Sequence, residues 1–265
     1  MNKAMKMKTL ATAIQKGGQG KTAVTCNLAF DFEERGLRVC VIDLDTQGNA
    51  SYTLKSYEGD IFASELFDES SVALTSRLKD ELNSHSEDKG IYLFRADPNL
   101  ANLDKLDFMA VAKKLKGNIA AISDLFDVCL IDTAPSLGVA MTAAIMSADY
   151  VVSPIELEAY SIQGMQMMVN LIGNVRKQNP KLGFIGMVPN KVDARKPRHI
   201  SNLALLTKTY PKLIVPTTVG HRDSIAEALG ERRPVWKMKK TAARKASKEV
   251  RALAQYIFNA MELAR

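Results

Sequence analysis

Cysteine is scarce in this 265-residue sequence: there are three, Cys26, Cys40 and Cys129, and none forms a CxxC pair. That excludes a disulfide framework, argues against a zinc or iron–sulfur site, and points to a reducing compartment. Glycine and proline are sparse too, at 15 and nine residues, too few for a linker-rich or disordered chain. No apolar run approaches the roughly 18 residues of a membrane span. The start, Met1–Lys8, is basic, but the apolar stretch Leu10–Ile14 is too short for the core of a signal peptide and is followed by Lys16. His85, His199 and His221 are scattered and make no case for a metal or a general base. What is present is an ordinary 46% of apolar residues and a net charge of +7. The length allows a large core, and the charge favours nucleic acid or an anionic membrane surface as partner.

Short β-branched runs alternate with longer helical patterns. Strands are expected over Thr9–Ile14, Arg38–Leu44, Ile91–Arg95, Asp127–Ile131, Asp149–Ile155, Phe184–Val188 and Leu213–Val215. Several are unbroken apolar runs, as in strands buried on both faces of a parallel sheet. Helical spacing covers Lys21–Glu34, Leu137–Ser147, Ser161–Arg176 and Ser201–Tyr210. A last helix runs from about Thr241 to Glu262, with Val250, Leu253, Ala254, Ile257 and Met261 on one face. The polar segment Ser51–Lys89 is expected to mix loops with short helices. This β-α-β-α order predicts an α/β fold with a doubly wound, mostly parallel sheet flanked by helices. We expect one domain over 1–265, with 232–265 a basic segment and C-terminal helix docked on it. The stretch Met165–Met168 reads as helix core, with a partner groove as the alternative.

The strongest signal is the run Lys16-Gly17-Gly18-Gln19-Gly20-Lys21-Thr22-Ala23, directly after a strand and opening a helix. Glycines let backbone N–H groups close around phosphate oxygens, and the helix N-terminus adds its positive dipole end. Lys21 can reach the β- and γ-phosphates, and the Thr22 hydroxyl can ligate Mg2+. Two carboxylates spaced by one residue, Asp43 and Asp45, end the next strand and point the same way. One can hold a metal's water shell while the other orients an attacking water. A further apolar strand ends in Asp132, a metal-side carboxylate in the same kind of position.

Lys16, standing where the general phosphate-loop pattern has no lysine, makes this loop resemble the deviant Walker A of the ParA/MinD superfamily of dimerising ATPases. Asp43-Leu44-Asp45-Thr46-Gln47-Gly48-Asn49 is similar to the family's Asp-x-Asp-Pro-Gln-x-Asn segment, with Thr46 where Pro is common. Asp132-Thr133-Ala134-Pro135 is similar to its Asp-x-x-Pro turn. The likeness spans almost the whole chain and is closer to ParA, the partition ATPases. By position it implies Lys16 acting across a dimer, Asp45 positioning water, and Asp43 nearer the metal. Val188-Pro189-Asn190-Lys191-Val192-Asp193 resembles the base-contacting strand end. Asn190 would then bond adenine, and Pro216 would wall it. A strand beginning by Thr9 leaves no room for an N-terminal helix-turn-helix, so a short ParA is expected.

From Arg232 to Arg251 nine cations, Arg232, Arg233, Lys237, Lys239, Lys240, Arg244, Lys245, Lys248 and Arg251, face one acid, Glu249. That net of +8 exceeds the whole chain's +7. With Arg222, these residues are the expected contacts to nonspecific double-stranded DNA. A lipid surface is the rival, although the last helix lacks an exposed apolar face for insertion. The resemblance implies ATP and Mg2+ as cofactors, an ATP-dependent homodimer, and a ParB-type centromere-binding partner that stimulates weak hydrolysis. It also implies a cytoplasmic, nucleoid-associated protein without stable membrane association. A MinD-like membrane-surface positioning ATPase is the alternative.

Overall fold

The computed structural model describes residues 6–84, 90–136, 138–158 and 161–263, with backbone alone at 161 and 162. His85 and Leu137, named above, lie outside them. In chain order the elements are β1 Lys8–Thr12, α1 Lys21–Glu34, β2 Val39–Leu44, α2 Asn49–Thr53, β3 Glu58–Phe62, α3 Ser71–Ser84, β4 Ile91–Arg95, α4 Phe108–Ala121, β5 Val128–Thr133, α5 Val139–Ser147, β6 Tyr150–Glu156, α6 Ser161–Arg176, β7 Gly183–Asn190, α7 Pro197–Thr209, α8 Asp223–Gly230 and α9 Thr241–Ala260. The strands form one seven-stranded sheet in the order β3-β4-β2-β5-β1-β6-β7, with every neighbouring pair parallel.

Alternation along the strands splits the core in two. Ala11, Ile42, Phe94 and Ile131 face the layer of α3, α4, α5 and α6. Leu10, Val41, Leu93 and Leu130 face the layer of α1, α8 and α9. Both faces are covered, which is why the central strands read as unbroken apolar runs. Helix α1 has no solvent face along most of its length, being buried from Val24 to Phe32. Its outer side is covered by α9, where Phe32 meets Phe258 edge-on at 5.9 Å. The three cysteines are buried and unpaired.

Two expectations are corrected. Leu213–Val215 is no strand: Ile214 makes an isolated parallel bridge to Met187, and the next bridge along this edge, Gly220 with Val192, is again a lone one. A strand that was not expected, β3, forms the opposite edge of the sheet, inside the segment expected to hold loops and short helices. Its Glu-Gly-Asp start hides it from β propensity, and Gly59 packs where a Cβ would come within 2.1 Å of the Tyr92 ring.

Candidate functional site

The order of strands puts β1 at the switch point, between β5 and β6. The crevice at the carboxyl ends of such strands is where α/β sheets bind ligands. Loop Lys16–Gly20 leaves β1 there and runs into α1. Gly18 and Gly20 have φ of +77° and +92°, a left-handed region that side-chain-bearing residues seldom enter. Gly20 caps α1, so the first N–H groups of that helix are left open toward the cleft.

The strand ends bring the acids together. Asp43 on β2 pairs in register with Asp132 on β5, and Asp132 pairs with Thr12 on β1. The Thr22 hydroxyl donates to Asp132 Oδ2 at 2.6 Å. Thr25 Oγ1 joins Thr12 Oγ1 at 3.0 Å and lies 3.4 Å from Asp132 Oδ1. Burial and the neighbouring Asp43 push the Asp132 carboxyl up to about 8. Burial lowers the Lys21 ammonium pKa, with Asp132 and Asp45 pulling the other way.

Asp45 lines the cleft and closes its own turn: Gln47 N–H donates to Asp45 Oδ1 at 3.0 Å and Gly48 N–H to the Asp45 carbonyl at 2.8 Å. Hydrogen bonds therefore hold this turn with Thr46 in place of a proline. Asp43, expected beside the metal, is enclosed instead. One oxygen accepts from Ser51 N–H and hydroxyl at 2.8 and 2.7 Å, and the other from Asp45 N–H at 3.1 Å. It braces the Asp45 turn, and like its register partner Asp132 it is fully buried and not among the residues that line the cleft.

The cleft has a volume of about 690 Å³ and runs from the glycine loop to α8 and α9. Lys21, Thr22, Asp45 and Pro135 line one end; Val219, Ile225, Leu229, Val250 and Leu253 line the other. Asn190 lies between them, with its Nδ2 donating to the Gln19 carbonyl at 2.7 Å. Pro216 is exposed and lies outside the lining, a second correction; Val219–Arg222 form that wall. Periodicity marked Val250 and Leu253 as core, but nothing local marked them as floor of a cleft.

Arg222 also leaves the expected basic patch. It lines the cleft and pairs with Glu249 at 2.8 Å, while Gly220 N–H donates to Glu249 at 2.9 Å. Arg251 turns inward to α1. It pairs with the fully buried Asp31 at 2.5 Å and with Glu34, and it lies 3.9 Å over the Trp236 ring. It stands one residue, about 100°, beyond core residue Val250, which puts it on the flank rather than the outer face. Lys237 pairs with Glu34, Lys240 with Glu227 and Arg233 with Glu231. Arg232 stacks on Tyr52. Lys239, Arg244, Lys245 and Lys248 are exposed, with no ion pair among the described residues. Lys16 is exposed at the mouth of the loop.

The arrangement fits a magnesium-bound nucleoside triphosphate. Three clustered carboxylates outnumber the one buried ammonium, and open N–H groups stand beside them. Among the described residues no group of three or more His, Cys, Asp or Glu could hold a metal alone.

A family model described as an AAA domain matches residues 7–184. Protein IncC of Escherichia coli is 64% identical over 259 residues, 98% of this chain and 71% of that protein. Among solved structures, a Cyanothece McdA–ATP complex has a TM-score of 0.80 at 20% identity, over 96% of this chain and 97% of that one. A putative plasmid partition protein from Borrelia burgdorferi, bound to AMPPNP, has a TM-score of 0.69 at 19% identity, over 94% of this chain and 99% of that one. These two likenesses establish the fold.

Proposed function

The chain belongs to the AAA-domain ATPases of the ParA partition type, and on that premise we propose that it is a nucleotide-gated DNA tether for segregation. The observation that carries the gating is the position of α9. Its inner residues Val250, Leu253 and Ala254 line the nucleotide cleft, and Glu249 holds the cleft wall at Gly220 and Arg222. Its outer face carries Arg244, Lys245 and Lys248. A change of ligand in the cleft thus bears directly on the helix that presents the cations.

Lys21 and the N-terminus of α1 would bind the β- and γ-phosphates. Thr22 and Asp132 would hold magnesium, which when bound offsets phosphate charge; Asp43 acts behind them by fixing the Asp45 turn. Asp45 orients the attacking water, a task of positioning more than basicity. The Asn190 amide oxygen, whose Nδ2 is already committed to the loop, is the atom left to accept from an adenine amino group. Lys16 of one copy reaches the nucleotide of a second copy, so the bound triphosphate selects the dimer. The dimer holds duplex DNA through phosphates without reading sequence. A ParB-type partner speeds hydrolysis and release. The proposed setting is the nucleoid in the cytoplasm; among the described residues no helix is long and apolar enough to cross a membrane.

The test is co-sedimentation with random-sequence DNA and, separately, with anionic liposomes, each with ATP-γ-S, ADP or no nucleotide. Retention on DNA with ATP-γ-S alone is the expected result. Retention on liposomes instead replaces this reading with a membrane-surface one.

A further inference from the structure

We infer that Gln19, Asn190 and Lys191 are positioning residues for the phosphate loop, acting as side-chain donors to its carbonyls. The inference rests on the nucleotide reading above and extends it. A loop whose N–H groups converge on an anion sends its carbonyls out of the other side, and those carbonyls need donors when buried. Here side chains supply them. Asn190 Nδ2 donates to the Gln19 carbonyl at 2.7 Å, and Lys191 Nζ donates to the Gly18 carbonyl. Gln19 Nε2 reaches back to the Gly17 carbonyl at 3.5 Å, the longest of the three.

These donors are themselves fixed. Glu156 and Asn190 are register partners at the ends of β6 and β7. The Glu156 carboxylate pairs with Lys191 Nζ at 2.8 Å, and its N–H donates to Gln19 Oε1 at 2.7 Å. Lys191 has φ of +51°, uncommon outside glycine, at the bend where the chain leaves β7. A Cβ on Gly20 would come within 2.1 Å of Asn190 Nδ2, so the contact also requires glycine there. Gln19 and Asn190 are 4% and 5% exposed, so water does not substitute for the bond between them, whereas the Lys191 side chain is 40% exposed and its bond to Gly18 is open to solvent. The clamp holds the loop with its N–H groups inward before a ligand arrives, so that ordering cost does not fall on binding.

The experiment measures ADP, ATP-γ-S and AMP affinity by competition against a fluorescent ADP analogue, together with nucleotide-free Tm, on the full chain. The variants are Lys191→Met, Gln19→Leu and Lys191→Arg. Lys191→Met is expected to weaken ADP and ATP-γ-S about threefold, the scale of a solvent-exposed charged contact. AMP, which places no β-phosphate in the loop, changes little. Gln19→Leu shows the same pattern to a similar extent, and Lys191→Arg recovers most of the Lys191→Met loss. Equal weakening of AMP and ADP, or unchanged ADP affinity in Gln19→Leu, whose side chain does not line the cleft, overturns the clamp. A lowered Tm with wild-type ADP affinity also overturns it, assigning these contacts to folding alone. Absence of ADP binding in the wild type would instead overturn the nucleotide reading itself.

Discussion

The glycine loop and the basic segment 232–251 were the two richest stretches of the sequence, and they differ in how charge becomes function. At the loop, Asp132, Asp43, Asn190 and Lys191 each meet a named partner within a few ångströms. In the basic segment the cations divide: Arg233, Lys237, Lys240 and Arg251 are paired to acids, whereas Lys239, Arg244, Lys245 and Lys248 stand in solvent. A count of cations measures a field; the cations with no ion pair among the described residues are the ones proposed to take phosphate. Asp31 and Glu34 on α1 draw Arg251 out of that subset.

The sharpest way to break this contrast is at the loop. Lys21→Ala is expected to weaken ATP binding at least a hundredfold, read by calorimetry; wild-type affinity would remove the loop from the mechanism. Asp45→Ala should still bind ATP and be retained on DNA while hydrolysis falls at least a hundredfold in a phosphate-release assay. Full turnover would move water positioning elsewhere. Replacing Lys239, Arg244, Lys245 and Lys248 together by alanine should abolish DNA retention at physiological salt and lower the salt slope by up to about 4, at roughly 0.9 per phosphate contact. ATPase activity and Tm should hold. Arg251→Ala should do the opposite. DNA retention stays, and stability falls by about 1–2 kcal/mol, because Asp31 keeps Arg35 as its remaining partner. Thermal melting detects this at roughly 2–4 °C per kcal/mol for a chain of this size. Loss of DNA retention in Arg251→Ala at unchanged Tm would erase the division. The smallest effect is Lys237→Ala, an exposed pair whose loss should cost at most about 0.5 kcal/mol.

The sheet's class, the loop and the strand-end acids were legible in the chain, because each is written within a short contiguous stretch. A glycine needing positive φ, an apolar strand and a carboxylate at its end are local facts. So is the inner face of α9, which periodicity alone identified. Packing set which side chains gather around the loop and which cations remain unpaired among the described residues. Asn190 and Lys191 reach the loop across 171 and 173 residues, and Arg251 reaches Asp31 across 220. The same holds for Asp43, whose bracing by Ser51 carries no signal in composition or spacing, and for Pro216, which the loop 219–222 displaces from the wall. The edge strand β3 likewise pairs with β4 although its Glu-Gly-Asp start disfavours a strand, and a Cβ at Gly59 would meet the Tyr92 ring. Hydrogen bonds and ion pairs act over a few ångströms, so their partners are set by how strands and helices are brought together. Patterns along the chain place the elements; their packing assigns the partners.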